Sequence, residues 1–456
     1  MLKDMTVGSP GRHIISFALP LLAGNIFQQA YNIADAAIVG RALGAEALAA
    51  VGASTSVQFL VMGFCIGIAV GFAIPVAQRF GAKDYSQMRR SIYNSMVLTA
   101  FFAVIITAVC LVLCHYILKI LSTPDNIYDR AYSYLFVIFA GIPLSLLYNL
   151  LSAILRAVGD SRTPFIFLVI STILNIVLDI LFIMVFSLDC FGAAVATVIA
   201  QGVSGVLCLI LIFVKFDILV PKKAERRVTP KEVVMLLMMG VPMGLQYSIT
   251  AIGSMVLQSA NNALGSVYIS AFTAASRIKQ CAMTPFDAVA TAVANFASQN
   301  LGAKKLDRIH KGIREGVAIG VGYGAAIGIV LVLFGRTLSG IFVDSGETAI
   351  LDAAGQYLGT IGCFYWVLGI LNTVRLTVQG LGYSIRAIYS GVVEMIARVV
   401  VSFAFVPIFR FGAICAADPS AWVSGAIYIS ITLFIILRSL RKKLGDDNKE
   451  GKAEIG

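Results

Sequence analysis

Charged side chains are scarce in this 456-residue sequence: 13% of residues are Asp, Glu, Lys or Arg, against about 25% in soluble globular chains. A soluble domain needs charge to cover its surface. With 59% hydrophobic residues and a mean hydropathy of +0.88, the deficit excludes a soluble enzyme, a nucleic-acid module or a secreted disulfide scaffold. The three histidines, His13, His115 and His310, sit at the ends of apolar runs, so no histidine cluster supports a metal enzyme. No Ser/His/Asp set is arranged for hydrolysis. The eight cysteines contain no CxxC pair, and Cys65, Cys110, Cys114, Cys208, Cys281, Cys363 and Cys415 lie within apolar runs, where they read as small hydrophobes. No GxxxxGK[ST] loop is present, so the chain does not drive itself with ATP. Gly320-Val321-Gly322-Tyr323-Gly324 echoes a potassium filter but sits mid-span, without a pore helix or fourfold copies.

What is present is hydrophobic length. A helix needs about 20 mainly apolar residues to cross a bilayer. That spacing predicts about twelve spans, near 13–37, 48–77, 92–114, 131–152, 164–187, 191–214, 233–257, 267–298, 313–334, 353–374, 385–408 and 412–437. The first contains Pro20, Asn25, Gln28, Gln29 and Asn32, so it reads as a span and not as the apolar core of a cleavable signal. Prolines within spans, Pro20 among them, are expected to give bends. Of the 35 basic residues, 27 fall in the termini and even-numbered loops or, as Arg314 and Arg386 do, within the first two residues of the span that follows, five in the odd-numbered loops and three, Arg277, Lys279 and Arg398, deep within spans. The bias places both termini in the cytoplasm. It also accounts for the net charge of +11 without nucleic acid.

Internal repetition is the second signal. Gln78-Arg79-Phe80-Gly81-Ala82-Lys83 recurs 221 positions later as Gln299-Asn300-Leu301-Gly302-Ala303-Lys304. Pro20 returns as Pro242, Asn149 as Asn372, Gly159 and Ser161 as Gly382 and Ser384, and Phe191-Gly192-Ala193 as Phe411-Gly412-Ala413. The expected fold is therefore an all-α polytopic membrane protein with two pseudo-symmetric six-helix lobes in parallel orientation. The expected organisation is an N-lobe over 1–214, a cytoplasmic linker over 215–232, a C-lobe over 233–440 and a charged tail over 441–456.

Polar residues within apolar spans mark functional candidates, because each is costly there. Gln28, Asn32 and Asp35 follow i, i+4, i+7 spacing with Tyr31 beside them. Asn175 and Asp179 follow i, i+4 with Ser171 a turn earlier, and Thr197, Gln201 and Ser204 repeat the pattern. Together they predict a wet N-lobe pocket with two carboxylates, suited to Na⁺ or to a proton. Gln28, Tyr31, Asn32, Asn149, Gln201 and Asp287 are candidates for the substrate cavity, with Asp287 alternatively paired to Arg277 or Lys279. Glu394 and Arg398, at i, i+4 and joined by Arg375, read as a structural ion pair.

These residues resemble the multidrug and toxic compound extrusion (MATE) family. The likeness is carried by Pro20…Gln28-Gln29-Ala30-Tyr31-Asn32-Ile33-Ala34-Asp35…Gly40, by the repeated Gln-x-x-Gly-Ala-Lys segment, and by Leu155-Arg156-Ala157-Val158-Gly159-Asp160-Ser161. It covers essentially the whole chain. Positions 35, 175, 179 and 197 match the Asp, Asn, Asp and Thr that work together in DinF-type members. The acidic residues that NorM-type members add in the seventh and tenth spans are absent here. The resemblance implies export of organic, often cationic and amphipathic compounds in exchange for Na⁺ or H⁺, with coupling at Asp35, Asn175, Asp179 and Thr197 and a hinge at Pro20. It implies no enzyme activity and no cofactor beyond the coupling ion. A monomer in a plasma membrane, the bacterial inner membrane, is expected, with the lipid bilayer and small organic molecules as its partners. A lipid-linked oligosaccharide flippase or a narrow-specificity metabolite exporter of the same superfamily is the alternative.

Overall fold

The structure, a computed structural model, describes residues 3–120, 123–344 and 346–453. No strand occurs among them. The main helices are α1 Pro10–Leu43, α2 Ala45–Gly81, α3 Tyr85–Ile120, α4 Asp125–Ala140, α5 Ile142–Ala157, α6 Arg162–Asp179, α7 Asp189–Lys215, α8 Pro230–Asn262, α9 Ser266–Gly302, α10 Leu306–Ser339, α11 Thr348–Gly362, α12 Tyr365–Gly380, α13 Ser384–Val400, α14 Val406–Phe409 and α15 Phe411–Ala453. Among the described residues, eight helices are long and apolar enough to cross a membrane, or ten if each of two bent pairs is one span. The two long helices outside that set are α1 and α9. They carry most of the in-span polar residues, which lowers their hydropathy without shortening them.

Several expected spans are not simple rods. The fourth is α4 and α5 meeting at 47°, and the tenth is α11 and α12 meeting at 53°. Pro143 starts α5 at a position where its missing N–H is not needed. The fifth span passes from α6 into a π-helical turn at Ile180–Val185, and the eleventh from α13 into another at Val401–Phe405. A π turn leaves a local looseness in the ladder that recurs at functional sites. α1 itself continues through Pro20 as one helix.

The chain divides into two compact units. Unit 1 comprises residues 1–3 and 23–247, and unit 2 comprises residues 4–22 and 248–456. The division does not follow the expected 1–214, 215–232 and 233–440 boundaries. α1 enters unit 1 just after Pro20, and α8 enters unit 2 just after Pro242. Residues 215–232, the expected cytoplasmic linker, pack on unit 1. There Glu225 accepts from Arg89 Nε at 2.6 Å and Nη2 at 2.7 Å, and Asn94 Nδ2 donates to Arg227 O at 3.0 Å.

Backbone geometry repeats between the units as the sequence does. Lys83 and Lys304 both take left-handed φ, 60° and 55°, closing the second helix of each repeat. The Asp84 and Lys305 N–H groups reach back to the Arg79 and Asn300 carbonyls at 3.1 and 2.9 Å, so the Gln-x-x-Gly-Ala-Lys segment is a helix stop. Gly159 and Gly382, at φ 88° and 90°, make the turns before α6 and α13, where an L side chain would be strained.

Unit 2 also explains the filter-like glycines. A Cβ on Gly320 would stand 3.1 Å from Gly369 O, and one on Gly324 would stand 2.6 Å from Tyr365 O. These glycines let α10 and α12 pack backbone to backbone, the small-residue packing of membrane helices.

Candidate functional site

The candidate coupling residues meet in unit 1. α6 presents Asn175 and Asp179 one turn apart immediately before its π turn, α1 presents Tyr31 and Asp35 one turn apart, and α7 presents Thr197. With the Asn175 amide in the orientation that satisfies its neighbours, Nδ2 donates to Tyr31 Oη at 2.8 Å and to Asp179 Oδ2 at 3.1 Å, while Oδ1 accepts from Thr197 N at 3.0 Å. Asp35 and Asp179 lie within hydrogen-bonding reach of one another. Tyr134, 5% exposed and hydrogen-bonded to Gln58, closes the site.

Asp179 is fully buried. Asp35 Oδ1 and Asp179 Oδ1 are both buried without a hydrogen-bond partner, and none of the contacts found at this site supplies a basic side chain. Two facing carboxylates in a poorly hydrated site repel, and a buried carboxylate oxygen without a donor is costly. A proton or Na⁺ between them relieves both penalties. The oxygen set of Asp35, Asp179, Asn175 and Thr197 has the hardness that Na⁺ prefers.

The expected helix face divides between the site and exposed surface. Gln28 and Asn32 are exposed, and Asn32 Nδ2 reaches only Gln29 Oε1 at 3.5 Å. The face turned into the site is Tyr31 with Asp35, at i, i+4, because Tyr31 supplies the hydroxyl that Asn175 needs. Asn149 and Gln201 form a separate cluster: Asn149 Nδ2 donates to Ser145 O at 2.8 Å and Ser145 Oγ donates to Gln201 Oε1. Ser204 Oγ donates to Phe167 O at 3.0 Å, interhelical glue.

Unit 2 holds a buried polar network of another kind. Glu394 pairs with Arg375 at 2.6 Å and is 4.0 Å from Arg398. The expected Glu394–Arg398 pair, joined by Arg375, is present and belongs to a larger network: Arg398 Nε binds Asp418 Oδ1 at 3.0 Å, and Lys279 Nζ binds Asp418 Oδ2 at 2.8 Å. Tyr357 Oη donates to the same Oδ2 at 2.7 Å. Asp287 pairs with neither Arg277 nor Lys279. It accepts from Asn372 Nδ2 at 3.4 Å, and Asn372 Oδ1 accepts from Arg375 Nη2 at 2.5 Å.

Asp418 is the functional neighbour that sequence reading misses. Its signal was an imbalance: three in-span cations, Arg277, Lys279 and Arg398, with too few assigned acids, and one unassigned aspartate within the twelfth expected span.

A helical polytopic protein of tandem repeats, with polar residues held inside apolar helices, is a membrane transporter in class. The MatE family model matches it twice, over residues 20–181 and 242–404. Over 406 residues it is 30% identical to the probable multidrug resistance protein YpnP of Bacillus subtilis (strain 168), covering 89% of this chain and 90% of the relative. It is 26% identical over 446 residues to the probable multidrug resistance protein NorM of Thermotoga maritima, covering 95% and 91%. A crystal structure of MATE in complex with MaL6 shares the fold with a TM-score of 0.89, at 22% identity over 96% of this chain and 99% of that one. The chain belongs to the MatE family. It is a multi-pass membrane transporter and not an enzyme.

Proposed function

We propose that the protein exports organic, cationic or amphipathic compounds in exchange for Na⁺ or H⁺, with the DinF-like coupling arrangement in unit 1. The observation that carries this reading is the pair of buried, partnerless oxygens on Asp35 and Asp179. A cation entering from outside neutralises the pair, and Asn175 and Thr197 complete its oxygen shell when it is Na⁺. Binding draws α1 toward α6, because Tyr31 and Asp35 share one face of α1 with the entering cation. The part of α1 beyond Pro20 shifts, and substrate leaves on the outer side. Release of the cation to the cytoplasm restores the repulsion and resets the pair. A gradient supplies about 2.3 kcal/mol per charge per 100 mV.

The names of the relatives YpnP and NorM, each called a probable multidrug resistance protein, support the substrate class. In this reading the protein works as a monomer in the bacterial inner membrane with both termini cytoplasmic, as the basic-residue bias directs, and takes no nucleic-acid partner.

The test is efflux of ethidium from proteoliposomes under separately imposed Na⁺ and pH gradients. Export should follow one of the two gradients and should be lost in Asp35→Asn. Export at the wild-type rate in that variant would remove the assignment.

A further inference from the structure

The repeat assigns every residue of the unit 1 site a counterpart in unit 2. Buried positions of α6 and α13 align at a constant offset: Pro164 with Ala387, Ser171 with Glu394, Asn175 with Arg398, and Asp179 with Ser402 just beyond α13. Gly159 and Gly382, with matching φ, keep the same offset. On α1 and α8 the alignment of Pro20 with Pro242 pairs Tyr31 with Gly253 and Asp35 with Leu257. The geometry agrees. Tyr31 Oη sits 2.8 Å from Asn175 in unit 1, and in unit 2 a Cβ on Gly253 would lie 3.6 Å from Arg398 Nη1. The aromatic that fills unit 1 is missing from unit 2.

Beside that position unit 2 has a cavity of about 700 Å³, whose lining includes Val256, Ser259, Tyr268, Ser402, Pro407 and Arg410. No lining residue is acidic. Ser402 is 5% exposed and its hydroxyl has no partner; one turn deeper, Arg398, also 5% exposed, keeps Nη1 without a partner. At the mouth stands Arg410, at φ 49° directly before α15. Arg410 has no ion-pair partner among the described residues. The first N–H groups of α15 add positive potential beside it. Phe403, Ile408 and Phe409, 73%, 70% and 62% exposed, continue the apolar surface outward from the mouth.

We propose that this cavity binds the negatively charged group of an amphipathic anion, through Arg410 and Ser402, with the apolar body against Val256 and Pro407. Within its lining, Ser402 stands at the position that Asp179 holds in unit 1, so a neutral hydroxyl replaces that carboxylate. A cation finds no carboxylate there, whereas a phosphate, sulfonate or carboxylate meets a guanidinium, a hydroxyl without a partner and a helix N-terminus. The ligand comes from the bilayer as an anionic phospholipid headgroup or from solution as an organic anion. The site does not depend on the coupling reading, because binding is measured without a gradient.

The test is native mass spectrometry of the full chain in dodecyl maltoside with dioleoylphosphatidylglycerol, taurocholate, dioleoylphosphatidylcholine or dodecyltrimethylammonium added separately. One molecule of phosphatidylglycerol or of taurocholate should bind per chain in preference to phosphatidylcholine and the ammonium. Binding of the lipid alone or of taurocholate alone assigns the source. Arg410→Ala should weaken the bound anion roughly 10- to 100-fold, the range for a hydrogen bond to a charged group, and Arg410→Lys should recover part of it. Ser402→Leu, which fills the cavity and leaves the charge in place, should also displace the anion. Equal retention of the anion in wild type, Arg410→Ala and Ser402→Leu would overturn the proposal. So would preference for the ammonium.

Discussion

The two repeats place different chemistry at the same positions. In unit 1, Gln58 and Tyr134 stand beside two carboxylates without a basic partner at the site. In unit 2 the corresponding residues are Lys279 and Tyr357, and both bind Asp418. Asn175 in unit 1 becomes Arg398 in unit 2, and Asp35 becomes Leu257. One framework thus carries an uncompensated negative site in one half and, in the other, acids that each have a basic or amide partner. In the proposed mechanism, compensation decides which half exchanges an ion. A carboxylate held by Lys and Arg has no repulsion for an entering cation to relieve, whereas the unit 1 pair does.

That comparison can be broken in several ways. The largest effect should come from unit 1: Asp35→Asn or Asp179→Asn removes one coupled charge, about 2.3 kcal/mol at 100 mV or roughly 50-fold in accumulation ratio, while membrane insertion is kept. Quantitative efflux with immunoblotting of the membrane fraction reads both. In unit 2, Asp418→Asn strands Lys279 and Arg398 in a buried site and should cost about 3–5 kcal/mol of stability. It should appear as a large fall in thermal midpoint, with the transport that survives still gradient-driven.

Smaller effects sharpen the picture. Gly320→Leu forces α10 off Gly369 and should cost about 1–3 kcal/mol, measured by thermal unfolding in detergent. Asn175→Ala removes the bridge between Tyr31 and Asp179 and should weaken the coupling ion about 5- to 10-fold, read as a higher ion concentration for half-maximal transport. Glu225→Gln should be the mildest, about 1 kcal/mol. Hydrogen bonds from Arg89 hold the Glu225 carboxyl down at about 2, below its usual 4.5. Its contribution is therefore complete above about pH 4.5 and fades as pH falls toward 2. Stability of the variant should match wild type only at the acid end.

Much of this was legible in one dimension because hydrophobic length and repetition survive projection onto sequence. The span pattern, the two halves and the aspartates at 35 and 179 follow from periodicity and from the cost of charge in lipid. What was not legible depends on rotation about a helix axis and on contacts distant in sequence. Gln28, Asn32 and Asp35 fit one helical face, yet Tyr31 and Asp35 are the pair turned inward, because Asn175 lies 140 or more residues away. Arg398 had an acid one turn away in Glu394 and bonds more closely to Asp418, on another helix. The exchange of helix ends between units is invisible to any boundary drawn at a linker, since α1 and α8 each continue unbroken through the change.

The most direct test of the central claim puts the two halves side by side. Ion-gradient-driven ethidium efflux is measured in proteoliposomes for wild type, Asp35→Asn and Asp287→Asn at matched protein content. The account predicts that Asp35→Asn abolishes the response to the driving gradient, and that Asp287→Asn keeps it. Loss of the gradient response in Asp287→Asn with its retention in Asp35→Asn would contradict the account and move coupling to unit 2.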